Sequence, residues 1–439
     1  MAECAGMSGP QRLAAVIVGV LVLVGIVVLG LSLVNDAPTA EASPTPSTSS
    51  VQPTSPSGAP SEESPPADAD EVLDALAEIE EQVVEIRGLP AADIGPPELL
   101  TRDEAREDLR ALFDEEFPQE DRDAENAALR ALGLLEADQD IAELELQLLG
   151  DQVRGYYDDD EKRMVVVADA GLDALAKFTY AHEYAHALQD AAFGIDSLER
   201  EAEGEDDRGL ARTALLEGDA SVVMLAWAFE HLTPEELLEI TSTPPPSTEG
   251  IPSWLVEYLV VFPYNEGLLW AGELTRDPTS PDFTAIDVAY DDPPDSTEQI
   301  IDIDKWEPRE DPIAVESPDL AGALGDGWTE VDDTPIGQAF LRMILEYHGV
   351  EHEQALAASG GWGGDRAVTV TGPDDAFAVA WRLTWDTPED ADEFVEAYNV
   401  AIPRLGFPAS VVELDDDEVL VAHASSDDVL DRTIDAADD

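Results

Sequence analysis

The sequence predicts an α+β protein that is mostly helical, and three observations support this prediction. Apolar residues recur at helical spacing through residues 70–150, the period changes to that of β-strands near Val153, and helical patterns return from Leu172. With 439 residues and 44% hydrophobic content, the chain is long enough for more than one folded unit. We therefore expect N-terminal helices, a central region with a small sheet, and a small C-terminal α+β module.

Residues 71–150 are expected to form a helical region. The first helix should stop at Gly88, which is followed by Leu and Pro. Its apolar positions at helical spacing are Val72, Leu76, Ile79, Val83 and Ile86. Thr101 and Glu104 have the spacing of a capping box, so a second helix should begin there and end before Pro118. Two further helices follow.

Residues 151–350 are expected to form the core. Two β-strands are predicted around the acidic turn 158–163, because short β-branched and aromatic runs flank it. Long helices should follow over residues 172–193, with Gly194 as a C-cap, and over residues 207–230.

The second half of the core is predicted to be less regular. The pattern from Pro252 is helical and is expected to break at Pro263, since proline removes a backbone donor. Residues 277–319 are rich in Pro and Asp and are predicted to be irregular, before another helix at 335–347. Residues 351–439 should then form the C-terminal module, with strand, helix and strand in alternation.

The N-terminal segment predicts a membrane anchor. Residues 13–34 are almost entirely apolar, and about 20 such residues span a bilayer as a helix. Arg12 precedes this run and Asp36 follows it, which favours an N-terminus inside the cell and the folded part outside. Cleavage as a signal peptide near residues 40–42 is the alternative, and it would release the protein. The predicted segments are a cytoplasmic N-terminus (1–12), the transmembrane helix (13–34) and a stalk rich in Pro, Ser, Thr and acidic residues (35–70).

The charge of the chain is extreme. There are 98 acidic and 22 basic residues, a net charge of −76, and only three of the basic residues are lysines. Such a surface is typical of proteins that work in concentrated salt, although an acidic secreted protein remains the alternative. The charge excludes a nucleic-acid partner, because binding to phosphates requires clustered Lys and Arg. The single cysteine, Cys4, excludes an intramolecular disulfide.

One helix carries a candidate metal site. His182 and His186 are four residues apart, so they lie on the same face of the predicted helix and can direct both imidazoles at one ion. Glu183 lies beside the first histidine and can act as a base toward a water on that ion. This five-residue pattern predicts a catalytic zinc site, with Zn2+ as the cofactor.

Two histidines do not complete a catalytic zinc site, which usually has three protein ligands. His348 and His352 are also four apart, but Gly349 interrupts the helix between them. Glu217 lies in an otherwise apolar helix, where a charge is costly unless it is paired or bound to metal. From composition alone, Glu217 is either the third ligand or an exposed acid on a helix face.

The motifs together resemble a family of surface-anchored, gluzincin-like zinc metallopeptidases from bacteria and archaea, most of them uncharacterised. The resemblance rests on Gly155-Tyr156-Tyr157-Asp158, on residues 182–190, and on Leu216-Glu217-Gly218-Asp219-Ala220. It continues through residues 293–300, 361–366 and 385–387. It implies a zincin-like catalytic core made of a small sheet, an active-site helix and a ligand helix, and it implies Glu217 as the third zinc ligand. One departure is Ser221, which stands where well-studied gluzincins often have an Asp that hydrogen-bonds a zinc-bound histidine. Asp219 is the nearest acid and the candidate for that role, although two residues along a helix place it on another face.

The predicted function is therefore extracellular peptide-bond hydrolysis at a membrane surface. The predicted partners are a protein or peptide substrate and the membrane, and the oligomeric state is left open. The candidate for stabilising the oxyanion is Tyr264, or else Tyr156 or Tyr157. The strand near Tyr157 or Val165 could hold an extended substrate by edge pairing. Two alternatives remain open: a zinc-stabilised surface protein without turnover, and a peptidase for one short peptide.

Overall fold

The computed structural model describes residues 69–150, 153–168, 171–244, 247–277 and 279–437. Over these residues the protein is α+β and mostly helical, which confirms the predicted fold class at that level. The predicted cytoplasmic N-terminus, the predicted transmembrane helix and almost all of the predicted stalk lie outside the described residues.

The expectation of a membrane-spanning helix is corrected. Across the part of the chain that the structure describes, no helix is both long enough and apolar enough to cross a membrane. The apolar run at residues 13–34, on which the expectation rested, is not among those residues. The longest described helix, Asp206–His231, carries acidic and basic residues along its length and packs inside the protein.

The N-terminal region folds largely as its sequence pattern predicts. Its elements are α1 (Ala69–Arg87), β1 (Glu98–Leu100), α2 (Arg102–Glu116), α3 (Gln119–Ala131) and α4 (Ile141–Gly150). The apolar stripe of α1 is buried, with Leu76 and Val83 fully covered. The side chain of Thr101 accepts from the backbone of Glu104, and the Glu104 carboxylate accepts from the backbone of Thr101, so the predicted capping box is confirmed.

A three-stranded sheet follows, and one of its strands was not predicted. The two predicted strands are β2 (Gly155–Asp158) and β3 (Arg163–Val167), paired antiparallel around the acidic turn. β1 adds to β3 in parallel, with Leu99 opposite Val166, so the strand order is β1-β3-β2. β2 is therefore an edge strand. Val165 lies in the central strand, so the expectation that it could hold a substrate by edge pairing is wrong.

The two long helices after the sheet form the centre of the protein. They are α5 (Ala174–Phe193) and α7 (Asp206–His231), joined by the short α6 (Ile195–Arg200) and followed by α8 (Pro234–Ser242). The predicted C-cap is confirmed, because Gly194 ends α5 with a positive φ of 78°. α5 packs against α7 on one side and against β2 on another, and α1 contacts both helices.

The predicted helix break at Pro263 is wrong. The chain continues from α9 (Ser253–Val256) through a π-helix (Glu257–Glu266) into α10 (Gly267–Thr275), and Pro263 lies inside the π-helix. A proline in an α-helix clashes with the carbonyl four residues earlier and removes one hydrogen bond. The wider π-turn accommodates the missing hydrogen bond without ending the helix.

The region predicted to be irregular, residues 277–319, contains three short helices. They are α11 (Thr284–Asp291), α12 (Thr297–Ile301) and α13 (Ile303–Trp306). Tertiary contacts hold them: the backbone N–H of Thr297 donates to the Asp207 carboxylate at 3.2 Å, which links α12 to the start of α7. Such short helices depend on packing more than on local propensity.

The C-terminal part is built on a five-stranded antiparallel sheet of order β4-β5-β6-β8-β7. Its elements are α14 (Leu320–Leu324), β4 (Thr329–Thr334), α15 (Gly337–Tyr347), α16 (His352–Ser359), β5 (Trp362–Thr371), β6 (Phe377–Trp385), α17 (Pro388–Ala401), β7 (Ala409–Glu413), β8 (Glu418–Ala424) and α18 (Asp427–Ala437). β4, from the segment assigned to the core, pairs with β5. Alternating residues divide the sheet between two cores: Trp381 faces the main core, and Ala380 faces a smaller one shared with α14 and α18.

Candidate metal centre

His182, His186 and Glu217 converge on one point in the interior. The Nε2 atoms of the two histidines are 3.0 Å apart, and Oε2 of Glu217 lies 3.0 Å from Nε2 of His182 and 3.7 Å from Nε2 of His186. All three residues are only 1% exposed. Among the residues that the structure describes, this is the one group of three that could hold a metal ion.

The local sequence explains how α5 presents its histidines. Asp173 caps the helix by accepting from the backbone of Ala176 at 2.7 Å, and most of α5 up to Gln189 is buried. Both faces of the helix are therefore fixed by packing, and the one-turn spacing of the histidines places them side by side. Their rings meet at 85° with centroids 4.6 Å apart.

Glu183 lies beside the ligands, and only one of its two carboxyl oxygens has a hydrogen-bond partner within the described residues. Its Oε2 accepts from the backbone N–H of Tyr157 on β2 at 3.2 Å. Its Oε1 is buried and has no hydrogen-bond partner within the described residues. Burial, and then the carboxylate of Glu217, hold the pKa of Glu183 well above its usual value.

The electrostatics of the site favour a bound cation. Burial raises the pKa of Glu217 to about 7, against the opposing effect of His182, and burial lowers the pKa of His186 to about 4. The cluster therefore contains a neutral imidazole and two carboxyl groups that are costly to ionise together. A divalent cation would supply the missing charge.

The residues fit zinc. Two imidazole nitrogens and one carboxylate oxygen are a common ligand set for catalytic zinc, and bonds of about 2.0–2.2 Å in a tetrahedron place ligand atoms about 3.3 Å apart. The observed separations of 3.0, 3.0 and 3.7 Å bracket that value. The buried Oε1 of Glu183 also lacks the polar partner that a water in the fourth position would provide.

Of the three candidate tyrosines, the structure brings Tyr264 to the site. It lies on the π-helix, its hydroxyl is hydrogen-bonded to Glu217, and its ring centroid is 5.8 Å from that of His182. Burial and Glu217 raise the pKa of Tyr264, so its hydroxyl keeps its proton. The hydroxyls of Tyr156 and Tyr157 instead donate to Asp108 and Asp190.

Sequence reasoning named Asp219 but missed the residues that connect it to His186. Nδ1 of His186 is 2.7 Å from Oε1 of Gln189, and the Gln189 amide donates to Asp219 at 3.0 Å. Asp219 also accepts from the hydroxyl of Tyr290 and from Arg87. The position of Gln189, one turn after His186 on the predicted helix, was the available signal, whereas Tyr290 and Arg87 are distant in sequence.

The other histidine pair, His348 and His352, contacts different partners. Nε2 of His348 lies 3.2 Å from the carbonyl oxygen of Leu132, whereas His352 is on the surface and Nδ1 of its ring is 2.7 Å from Glu346. The structure brings neither to the metal centre.

Comparisons with known proteins give a family match for one segment of the chain. Residues 327–434 match a family described as DUF8575, a domain of unknown function. The match runs from β4 into α18 and leaves out the candidate metal centre. The chain matches no curated protein and no solved structure.

Proposed function

We propose that the protein is a zinc metallopeptidase in which His182, His186 and Glu217 hold the ion and Glu183 is the general base. The observation that carries this proposal is the convergence of three buried ligand atoms next to a carboxyl oxygen without a partner. The core would then be zincin-like, with a small sheet, an active-site helix and a ligand helix. That likeness comes from the arrangement of β2, α5 and α7 around the site.

Bound zinc would supply a Lewis acid and lower the pKa of a water that it binds to about 7. Glu183 takes the proton of the attacking water on Oε1 and passes it to the departing amine. The N–H of Tyr157 holds the other carboxyl oxygen and fixes the direction of Oε1.

Tyr264 is the proposed electrophilic group. Its hydroxyl hydrogen-bonds to Glu217 and keeps its proton, so it can donate to the negative charge that develops on the substrate carbonyl oxygen. The π-helix that carries Tyr264 packs against α7, which carries Glu217, and so does α10, which follows the π-helix.

The edge strand β2 is the proposed place for the peptide backbone. It lies against α5, and an extended peptide can add to a free strand edge by main-chain hydrogen bonds. All four residues of β2 are buried in this conformation, and Glu183 is 1% exposed. Substrate entry therefore requires the elements around the site to move.

The second candidate is a zinc-stabilised protein without turnover. The deep burial of the site favours it, because structural zinc sites are closed. Structural sites, however, normally fill the fourth position with a protein ligand, and here the adjacent group is a carboxylate with a buried unpartnered oxygen.

The test uses the full-length protein in molar salt. We expect one zinc per chain and cleavage of an unstructured protein such as casein. Glu217→Ala should abolish stable zinc binding, whereas Glu230→Ala, which removes an exposed glutamate on the same helix, should not. Normal zinc content in Glu217→Ala would remove Glu217 from the ligand set. Zinc binding without cleavage of any peptide in a broad library would favour the second candidate.

A further inference from the structure

The orientation of the Gln189 amide is determined by its surroundings. Its Nε2 lies 3.0 Å from the carbonyl oxygen of Leu216 and 3.0 Å from Oδ2 of Asp219, and both of these atoms accept hydrogen bonds. Exchanging the amide nitrogen and oxygen would set oxygen against two oxygens. The amide oxygen must therefore face Nδ1 of His186, at 2.7 Å.

This orientation fixes the tautomer of His186. Because the amide oxygen only accepts, Nδ1 of His186 must carry the ring proton and donate it. Nε2 is then left with a lone pair directed at His182 and Glu217, which is the form of histidine that binds a metal.

Asp219 in turn fixes Gln189. Its carboxylate is fully buried, and Oδ2 accepts from Gln189, from the Tyr290 hydroxyl at 2.9 Å and from Nε of Arg87 at 3.2 Å. Arg87, at the end of α1, is also paired with Asp287 at 2.7 Å. These contacts hold Asp219 in place, and its hydrogen-bonded connection to His186 passes through the glutamine.

We propose that Gln189 is the positioning residue for His186, and that Asp219 helps to hold the Gln189 amide in the orientation that His186 requires. This inference rests on the proposed zinc site. A neutral amide thus takes the place that a carboxylate usually has behind a zinc-bound histidine. The ligand helix α7 supplies both Glu217 and the acceptor that orients the partner of His186, so one helix fixes two parts of the site.

The first test compares two buried glutamines. Gln189→Leu removes the acceptor for His186 and should weaken zinc affinity by about 10–100-fold, measured by chelator competition on the full-length protein. Gln299→Leu is the matched control: Gln299 is also buried, and it accepts from the backbone N–H of Asp295 and donates to the carbonyl oxygen of Glu310, away from the site. Both variants should lower the melting temperature of the metal-free protein, but Gln299→Leu should leave zinc affinity unchanged.

The second test moves the carboxylate. Gln189→Glu sets two carboxylates against each other and should lower zinc affinity. Asp219→Asn should lower it less, because the Asn oxygen can still accept from Gln189 while the charge that pairs with Arg87 is lost. In the double variant, the carboxylate at position 189 can accept from His186 and from the new amide at position 219. We expect it to recover about tenfold over the weaker single variant.

The outcomes separate this inference from the proposed function. If the unmodified protein binds no zinc, the proposed function fails and this inference fails with it. If the unmodified protein binds zinc and cleaves peptides, but Gln189→Leu binds zinc as tightly as Gln299→Leu, only the positioning role is overturned. A double variant no better than the weaker single variant would overturn the role of Asp219.

Discussion

Gly218 on α7 and Gly267 at the start of α10 touch backbone to backbone. A Cβ atom on Gly218 would lie 2.2 Å from the carbonyl oxygen of Gly267, and one on Gly267 would lie 2.3 Å from the carbonyl oxygen of Ala214. Only glycine allows two helices to approach this closely. Gly218 follows Glu217 directly, and Tyr264 is three residues before Gly267, so this contact sets the distance between a proposed zinc ligand and the proposed electrophile.

Gly218→Ala should therefore push α10 and the π-helix away from α7. We expect a loss of about 1–3 kcal/mol in the free energy of unfolding, together with weaker catalysis as Tyr264 moves. Gly272→Ala is the control, because nothing lies within 4 Å of a Cβ there, and alanine in a helix should be neutral or stabilising by up to about 1 kcal/mol. Chemical unfolding of the metal-free proteins measures both. Equal stability of the two variants would show that the glycine contact is not tight.

Tyr264→Phe should separate catalysis from metal binding. The variant keeps the ring but loses the hydroxyl, so we expect kcat to fall by about 10²–10³-fold while zinc content stays at one per chain. Tyr258→Phe is the matched control, since Tyr258 is buried on the same π-helix and its ring packs against Phe340. If the two variants have the same kcat, Tyr264 is a packing residue.

The burial of Glu145 should make the free energy of unfolding depend on pH. It is fully buried on α4, neither carboxyl oxygen has a hydrogen-bond partner within the described residues, and burial raises its pKa from 4.5 to about 8. Between these pH values the folded protein retains a proton that the unfolded chain has released, so the free energy of unfolding should fall as pH rises. Below pH 4.5 both states are protonated and this penalty is absent.

Glu145→Gln should remove that penalty. We expect the variant to match the original protein near pH 4.5 and to exceed its free energy of unfolding at pH 8 by a few kcal/mol. Glu143→Gln, which changes an exposed glutamate on the same helix, should leave the pH profile unchanged. Parallel pH profiles for the original protein and Glu145→Gln would contradict the assignment.

The carboxylate excess predicts a requirement for salt. All three lysines are already paired with acids, as in the contact of Lys162 with Asp190 at 2.8 Å. Burial, and then repulsion from neighbouring aspartates, raise the pKa of Glu116 to about 8. Because molar salt shortens the Debye length to about 3 Å, the free energy of unfolding should rise along a potassium chloride series. A protein equally stable in dilute buffer would refute the halophilic interpretation.

Local signals in the sequence were sufficient for the elements that depend on local chemistry. The capping box of Thr101 and Glu104, the C-cap at Gly194 and the strands around the acidic turn all follow from short-range hydrogen bonding. The histidine pair also follows from spacing alone, because one helical turn brings the two rings together.

What the sequence could not predict depends on partners distant in the chain. β1 has only three residues and forms because β3 offers it an edge. The π-helix keeps Pro263 in a helical path that local rules would end. The link from His186 through Gln189 to Asp219 requires the relative placement of α5 and α7, which no spacing within one helix reveals.

The most direct test of the zinc peptidase proposal is the Glu183→Gln variant of the full-length protein, measured for zinc content and peptide cleavage in molar salt. Glutamine keeps the size of the side chain but cannot act as a base, so we predict one bound zinc per chain and loss of cleavage by several orders of magnitude. Glu161→Gln, in the exposed turn after β2, should keep both properties. Cleavage by Glu183→Gln at the rate of the original protein would contradict the proposal.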